Sequence, residues 1–171
     1  MKKLICIALA ALLLVGLTAC GEKTEIQKAP EGTPGELIDK IYENHKALQL
    51  NVFTMDLDLN DPDAVRYNLG LEAADKLSAA AISEAMMGQA YSLVVLRVKD
   101  AADAAQVAKD IYDKVDMNKW ICVGADTKTA AYCGDVVLFF MVGSQFAESA
   151  TTETILEAFK TVCGGNVTVI G

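Results

Sequence analysis

The chain has 171 residues, is 53% apolar by composition and carries a formal charge of −8, a length and composition suited to one folded domain with one sizeable core. Its 15 lysines and arginines are scattered. That excludes nucleic acid as a partner, which needs concentrated basic side chains, and disfavours a domain lying flat on anionic lipid.

Met1-Lys2-Lys3 is a short positive head, Leu4 to Val15 is almost unbroken apolar sequence, and Gly16 and small residues lead to Cys20. This is the layout of a secretory signal peptide. The apolar run is shorter than the roughly 20 residues a helix needs to cross a bilayer. Leu17-Thr18-Ala19-Cys20 resembles the lipobox of bacterial lipoproteins, in which the cysteine thiol receives a diacylglyceryl group and the chain is cut just before it. Leu17, Thr18 and Ala19 are then the signal-peptidase recognition residues and Cys20 the lipid attachment site. An ordinary signal peptide cut near Ala19, and a permanent signal anchor, are the alternatives. Each buried acyl methylene contributes about 0.8 kcal/mol to membrane binding, so acylated Cys20 would hold the chain on a bilayer without a spanning helix. The organisation expected is a signal peptide over 1–19, a lipid-anchored flexible linker over 20–32 and a single globular domain over 33–171. Loss of Lys2 and Lys3 takes the charge from −8 to −10. Gly21 to Gly32 has no apolar periodicity, and such composition buries too little surface to offset its ordering entropy.

Thr33-Pro34-Gly35-Glu36 reads as a capping box with proline at the first helical position, and Leu37, Ile38, Ile41, Tyr42 and Leu48 recur at helical spacing, predicting a helix from Pro34 to about Ala47. Asn51 to Leu59 alternates and fits a strand or an extended loop equally. Asp61, Pro62 and Gly70 bracket a short helix over Asp61 to Asn68. Ala79 to Met87 and Tyr91 to Lys99 read as a pair of strands turning at Gly88-Gln89. Asp100 caps a helix whose buried stripe is Ala104, Ala108, Ile111 and Val115. The order then repeats. Thr127 to Cys133 and Val136 to Val142 form a hairpin around Gly134-Asp135, a helix follows over Thr151 to Val162, and Asn166 to Ile170 could add a short edge strand. The fold class is α+β: an antiparallel sheet of about four strands built from two hairpin-helix units, with N-terminal helices. Helices that follow hairpins tend to cover one face of the sheet. Val136 to Val142, however, has no polar alternation and reads as a central strand covered on both sides.

Lys119-Trp120-Ile121-Cys122-Val123, followed by Gly134-Asp135-Val136-Val137, with Arg97-Val98-Lys99-Asp100 upstream, resembles a family of bacterial lipoproteins known as domain of unknown function 4358. The resemblance covers roughly Pro34 to Val162. It implies an extracytoplasmic, lipid-anchored domain from a Gram-positive source, and it implies no activity, catalytic residue or ligand.

The residues that could carry chemistry are few. Once Cys6 leaves with the signal peptide and Cys20 is acylated, Cys122, Cys133 and Cys163 remain. They read as buried small apolar residues, as a pair with a third thiol, or as redox or metal groups. Cys122 and Cys133 flank the loop and first strand of the second hairpin and are the candidate disulfide. There is no Cys-x-x-Cys and no histidine near the three, so neither a thioredoxin-like motif nor a zinc site is expected. His45 is the only histidine, and no Gly-x-Ser-x-Gly stands ready to use it, so it reads as a surface or boundary residue. Asp56, Asp58, Asp61 and Asp63 resemble a calcium loop, but Asp61 stands where the turn glycine belongs and Tyr67 where the closing glutamate belongs. Trp120, the only tryptophan, is either a core residue at the sheet edge or a partner contact.

These features predict no metal and no cofactor. They predict a membrane-anchored extracytoplasmic lipoprotein whose domain is non-enzymatic and binds an envelope protein or ligand. The bilayer is its partner through acylated Cys20, and the cell membrane, extracytoplasmic face, is its location. The alternative is an extracytoplasmic thiol-redox protein or enzyme using Cys122 or Cys133.

Overall fold

The computed structural model describes residues 28–45 and 51–171. Helix α1 (Pro34–Asn44) starts as its sequence dictates: the Glu36 amide donates to Thr33 Oγ1, and the Thr33 amide donates to the Glu36 carboxylate at 2.7 Å. That backbone bond holds the Glu36 carboxyl below its ordinary pKa. The helix ends at Asn44, short of the expected Ala47, with His45 in extended conformation as its C-cap. Strand β1 (Val52–Asp56) follows, then helix α2 (Pro62–Leu69), whose N-cap Asp61 accepts the amides of Asp63 and Ala64. Gly70 ends α2 at φ 65°, and a Cβ there would stand 2.6 Å from the Lys114 carbonyl carbon. Glycine is therefore required twice over, for the left-handed turn and for close approach to the next helix.

Strands β2 (Leu77–Ala85) and β3 (Tyr91–Val98) are joined through a tight turn at Met86–Gly88, helix α3 (Ala104–Lys114) follows one 3-10 turn after Asp100, and β4 (Thr127–Cys133) and β5 (Val136–Val142) turn at Gly134. Helix α4 (Thr152–Val162), capped by Thr151, and the short strand β6 (Thr168–Val169) complete the domain.

The architecture is α+β, with six antiparallel strands in the order β1-β2-β3-β5-β4-β6. Six replace the expected four or so because both ambiguous stretches pair, β1 with β2 and β6 with β4. Helices cover both faces rather than one. Residues of α1 and α4 share a core cluster with Tyr91, Leu93, Leu138 and Phe140. Residues of α2 and α3 share the other with Ile82, Val94, Val137 and Phe139. All seven residues of β5 are buried, as expected of a central strand apolar on both faces. Among the described residues no helix is long and apolar enough to cross a membrane.

The domain also begins earlier than expected. Ala29 packs on the first core, and the Arg97 guanidinium on β3 donates to the carbonyls of Pro30 (2.5 Å) and Gly32 (3.0 Å). The same guanidinium bonds both carboxylate oxygens of Asp135 at 2.8 and 2.7 Å. Residues 28–32 are thus part of the domain and not linker: the guanidinium fork satisfies the carbonyls of Pro30 and Gly32, an interaction that composition does not reveal.

Candidate functional site

Alternate residues of a strand face the same side of a sheet. Ile82 of β2 lies in the core beneath α2 and α3, so Glu84 points to that side too, between Phe53 of β1 and Ser92 of β3 in the register. A carboxylate there needs a partner. It finds Lys119, from the loop after α3. Lys119 Nζ donates to Glu84 Oε1 at 2.5 Å, to Ser92 Oγ at 3.2 Å and to Asn68 Oδ1 of α2 at 3.2 Å. Three donors meet three acceptors, which saturates an ammonium group. The rings of Tyr67 and Trp120 cover it, with centroids 5.0 and 5.2 Å from Nζ, and the Tyr67 hydroxyl donates to the Lys119 carbonyl at 3.1 Å. The Lys119 side chain is 1% exposed and that of Glu84 15%. Burial lowers the Lys119 pKa below its ordinary 10.5, opposed by the Glu84 carboxylate. Burial, followed by the charge of Glu84, raises that of Tyr67.

A lysine with a lowered pKa is what covalent amine chemistry requires. This one has every proton committed and no open approach, so its effect is to lock the loop after α3 onto the sheet. Beside it a groove of about 760 Å³ runs between α2 and that loop, lined by Asp63, Arg66, Tyr67, Lys114 and Asp116. Apolar side chains stand exposed around the same centre: Phe53, opposite Glu84 in the register, then Met55, Tyr67 and, most of all, Ile121 at 90%.

The residues singled out in the sequence fall in several places. Leu17, Thr18, Ala19 and Cys20 lie outside the described residues. Trp120 is half-buried, packed on the second core and over Lys119. His45 is buried rather than superficial, and neither ring nitrogen has a hydrogen-bond partner among the described residues. The four aspartates do not converge as a calcium loop. Asp58 accepts from Asn60, Asp61 caps α2 and Asp63 pairs with Arg66, and the described residues hold no group of three or more potential metal ligands.

The thiols differ most from expectation. The bridge between Cys122 and Cys133 is not formed. Cys122 is exposed in its loop at φ 70°, a left-handed conformation uncommon for a residue with a Cβ. Cys133 is buried at the end of β4, in the same core cluster as Cys163. Spacing along the chain brought Cys122 and Cys133 together on paper, whereas the pleat of β4 turns the Cys133 side chain towards α4. Burial pushes the thiol pKa of both buried cysteines up. The expectation of three inert sulfurs is therefore corrected. A maleimide at neutral pH should label the folded domain once, at Cys122, with Cys133 and Cys163 reacting only after unfolding. Peptide mapping of the labelled protein checks this, and rapid labelling of Cys133 or Cys163 would show that the core around them is open.

Sequence reasoning missed Lys119 and Glu84. Their signal was present: Glu84 interrupts an otherwise small and apolar strand, and charged residues are almost never buried unpaired. Compared with protein-family models, with curated proteins and with solved structures, the chain matches none.

Proposed function

We propose that this chain is a bacterial membrane lipoprotein: an extracytoplasmic domain anchored through acylated Cys20 that binds an envelope protein or ligand without catalysing a reaction. The resemblance to the lipoproteins called domain of unknown function 4358 belongs to this reading. The observation that supports it is the fastening of residues 28–32 to the sheet. Arg97, paired with Asp135, holds the backbone at Pro30 and Gly32, ten and twelve residues after Cys20. With at most about 3.6 Å per extended residue, the eight steps from Cys20 to Lys28 hold the domain within roughly 30 Å of the bilayer. The end of the sheet bearing Arg97 then lies towards the membrane. Phe53, Tyr67 and Ile121 stand around the other end of the same strands and are available to a partner.

Non-enzymatic binding suits the chemistry present. Lys119, whose pKa is lowered by burial, is sealed by its own hydrogen bonds, and two of the three domain thiols lie in the core. The test is made in cells. Cys20→Ser should release the protein from membranes or leave it uncleaved, and mass spectrometry of the wild-type N-terminus should find acyl chains on Cys20. A free N-terminal cysteine sinks the anchor. Crosslinking on intact cells, then pull-down, should give an adduct that Phe53→Asp with Ile121→Asp abolishes; an adduct indifferent to both changes places binding elsewhere.

A further inference from the structure

Two thiols that share a core invite a covalent question. Cys133 ends β4 and Cys163 caps α4, and the two belong to one buried cluster. They meet at the first described residue. Cys133 Sγ lies 3.6 Å from the Lys28 carbonyl oxygen, while Cys163 and Lys28 line the same groove of about 530 Å³. The thiols are close enough for each to perturb the other.

We infer that Cys133 and Cys163 are a disulfide-forming pair, oxidised by thiol exchange with a disulfide of low molecular weight or of another protein. The thiolate of Cys163 attacks the oxidant's S–S bond, and one half leaves as a thiolate. The thiolate of Cys133 then attacks the mixed disulfide at Cys163 Sγ and displaces the second half. One S–S bond is broken in the oxidant and one is formed in the protein, and the two protons lost by the cysteines end on the two departing thiols. Burial holds both thiols protonated, so exchange in the folded state is slow, and the bond forms chiefly while the domain folds and the pair is still wet. The bridge would pin α4 to β4 directly beneath residues 28–32, the place where the anchor joins the domain. An oxidising compartment favours it, so the inference deepens the extracytoplasmic reading. It is nevertheless tested apart from that reading, since exchange in solution does not depend on Cys20.

The experiment refolds the reduced full chain carrying Cys6→Ser, Cys20→Ser and Cys122→Ser, so that Cys133 and Cys163 are its only thiols, in a buffer of reduced and oxidised glutathione. The folded product is alkylated, digested without reductant and mapped. The expected result is a Cys133–Cys163 linked peptide in most molecules, with a melting temperature higher by roughly 5–15 °C than after reduction. Cys163→Ala in the same background should abolish both the link and the thermal gain. Recovery of Cys133 and Cys163 as alkylated thiols from the refolded product overturns the inference, and so does a link between cysteines of two molecules. If Cys163→Ala fails to fold, the peptide map of the parent chain still decides.

Discussion

Lys119→Met should destabilise the domain by about 3–5 kcal/mol, and Glu84→Leu by a comparable amount, because each leaves the other charge buried without its partner. Removing Lys119 strands the Glu84 carboxylate, 15% exposed, and takes the donor from Ser92 and Asn68 as well. Removing Glu84 leaves an ammonium group 1% exposed with two neutral acceptors. The double variant should recover much of the loss, since an apolar pair of similar volume desolvates nothing charged. Urea denaturation of the four proteins gives the coupling directly. Two single changes each costing less than about 1 kcal/mol would mean that the pair behaves like a solvated surface bridge and that the loop after α3 is not locked by it. The pH dependence has a definite sign. The folded pKa of Lys119 lies below 10.5, so between the two values the unfolded chain holds the proton more tightly, and this site makes stability rise with pH there. Tyr91, raised by burial, acts oppositely above pH 10, where only the unfolded tyrosine loses its proton. Lys119→Met should remove the first slope and leave the second.

The parts of this protein that sequence made legible are those in which local chemistry decides. Thr33 with Glu36, Asp61 with Pro62, and Gly134 with Asp135 each place their own turn or helix end, because the partners lie within three residues. Val136 to Val142 declared a doubly covered strand by having no polar face. The rest depends on partners distant in sequence. Lys119 lies 35 residues from Glu84, and Arg97 lies 67 from Pro30. Neither lysine nor arginine carries a local mark that distinguishes a buried partner from a solvated one. The same limit misplaced the thiols: Cys122 and Cys133 are neighbours in the chain, but the sheet sends Cys133 into the core that Cys163 shares. It hid Phe53 and Met55 too, because an alternating stretch shows which residues share a face without saying whether a helix covers it. Arg97 holds residues 28–32, Asp135 holds Arg97, and Lys119 holds the loop after α3.

Phe139→Ala and Phe140→Ala should each cost about 3–5 kcal/mol and lower the melting temperature by roughly 10–15 °C, although adjacent residues of a strand face opposite ways. Both rings are buried, at 1% and 0% exposure, and they fill different cores. Phe139 lies with Val94, Ala108 and Ile111 under α3. Phe140 lies with Ile38 and Phe159 and meets Tyr91 edge-on, with centroids 5.1 Å apart and planes at 69°. Tyr91 in turn shares a hydrogen bond with Tyr42 of α1, whose hydroxyl donates to Ser83 at 2.7 Å. Phe140→Ala therefore removes an aromatic partner as well as filled volume, and it should stand at the upper end of the range. Phe140→Leu keeps most of the volume and should cost under about 1.5 kcal/mol beyond the loss of the edge contact. The double alanine variant separates the two faces. The rings belong to different core clusters, so their costs should add to within about 0.5 kcal/mol if the sheet keeps the cores independent. Denaturant titration measures all four variants. An unchanged melting temperature for either single alanine would mean that its face is open to solvent, making that face, rather than the surface around Lys119, the first place to look for a partner.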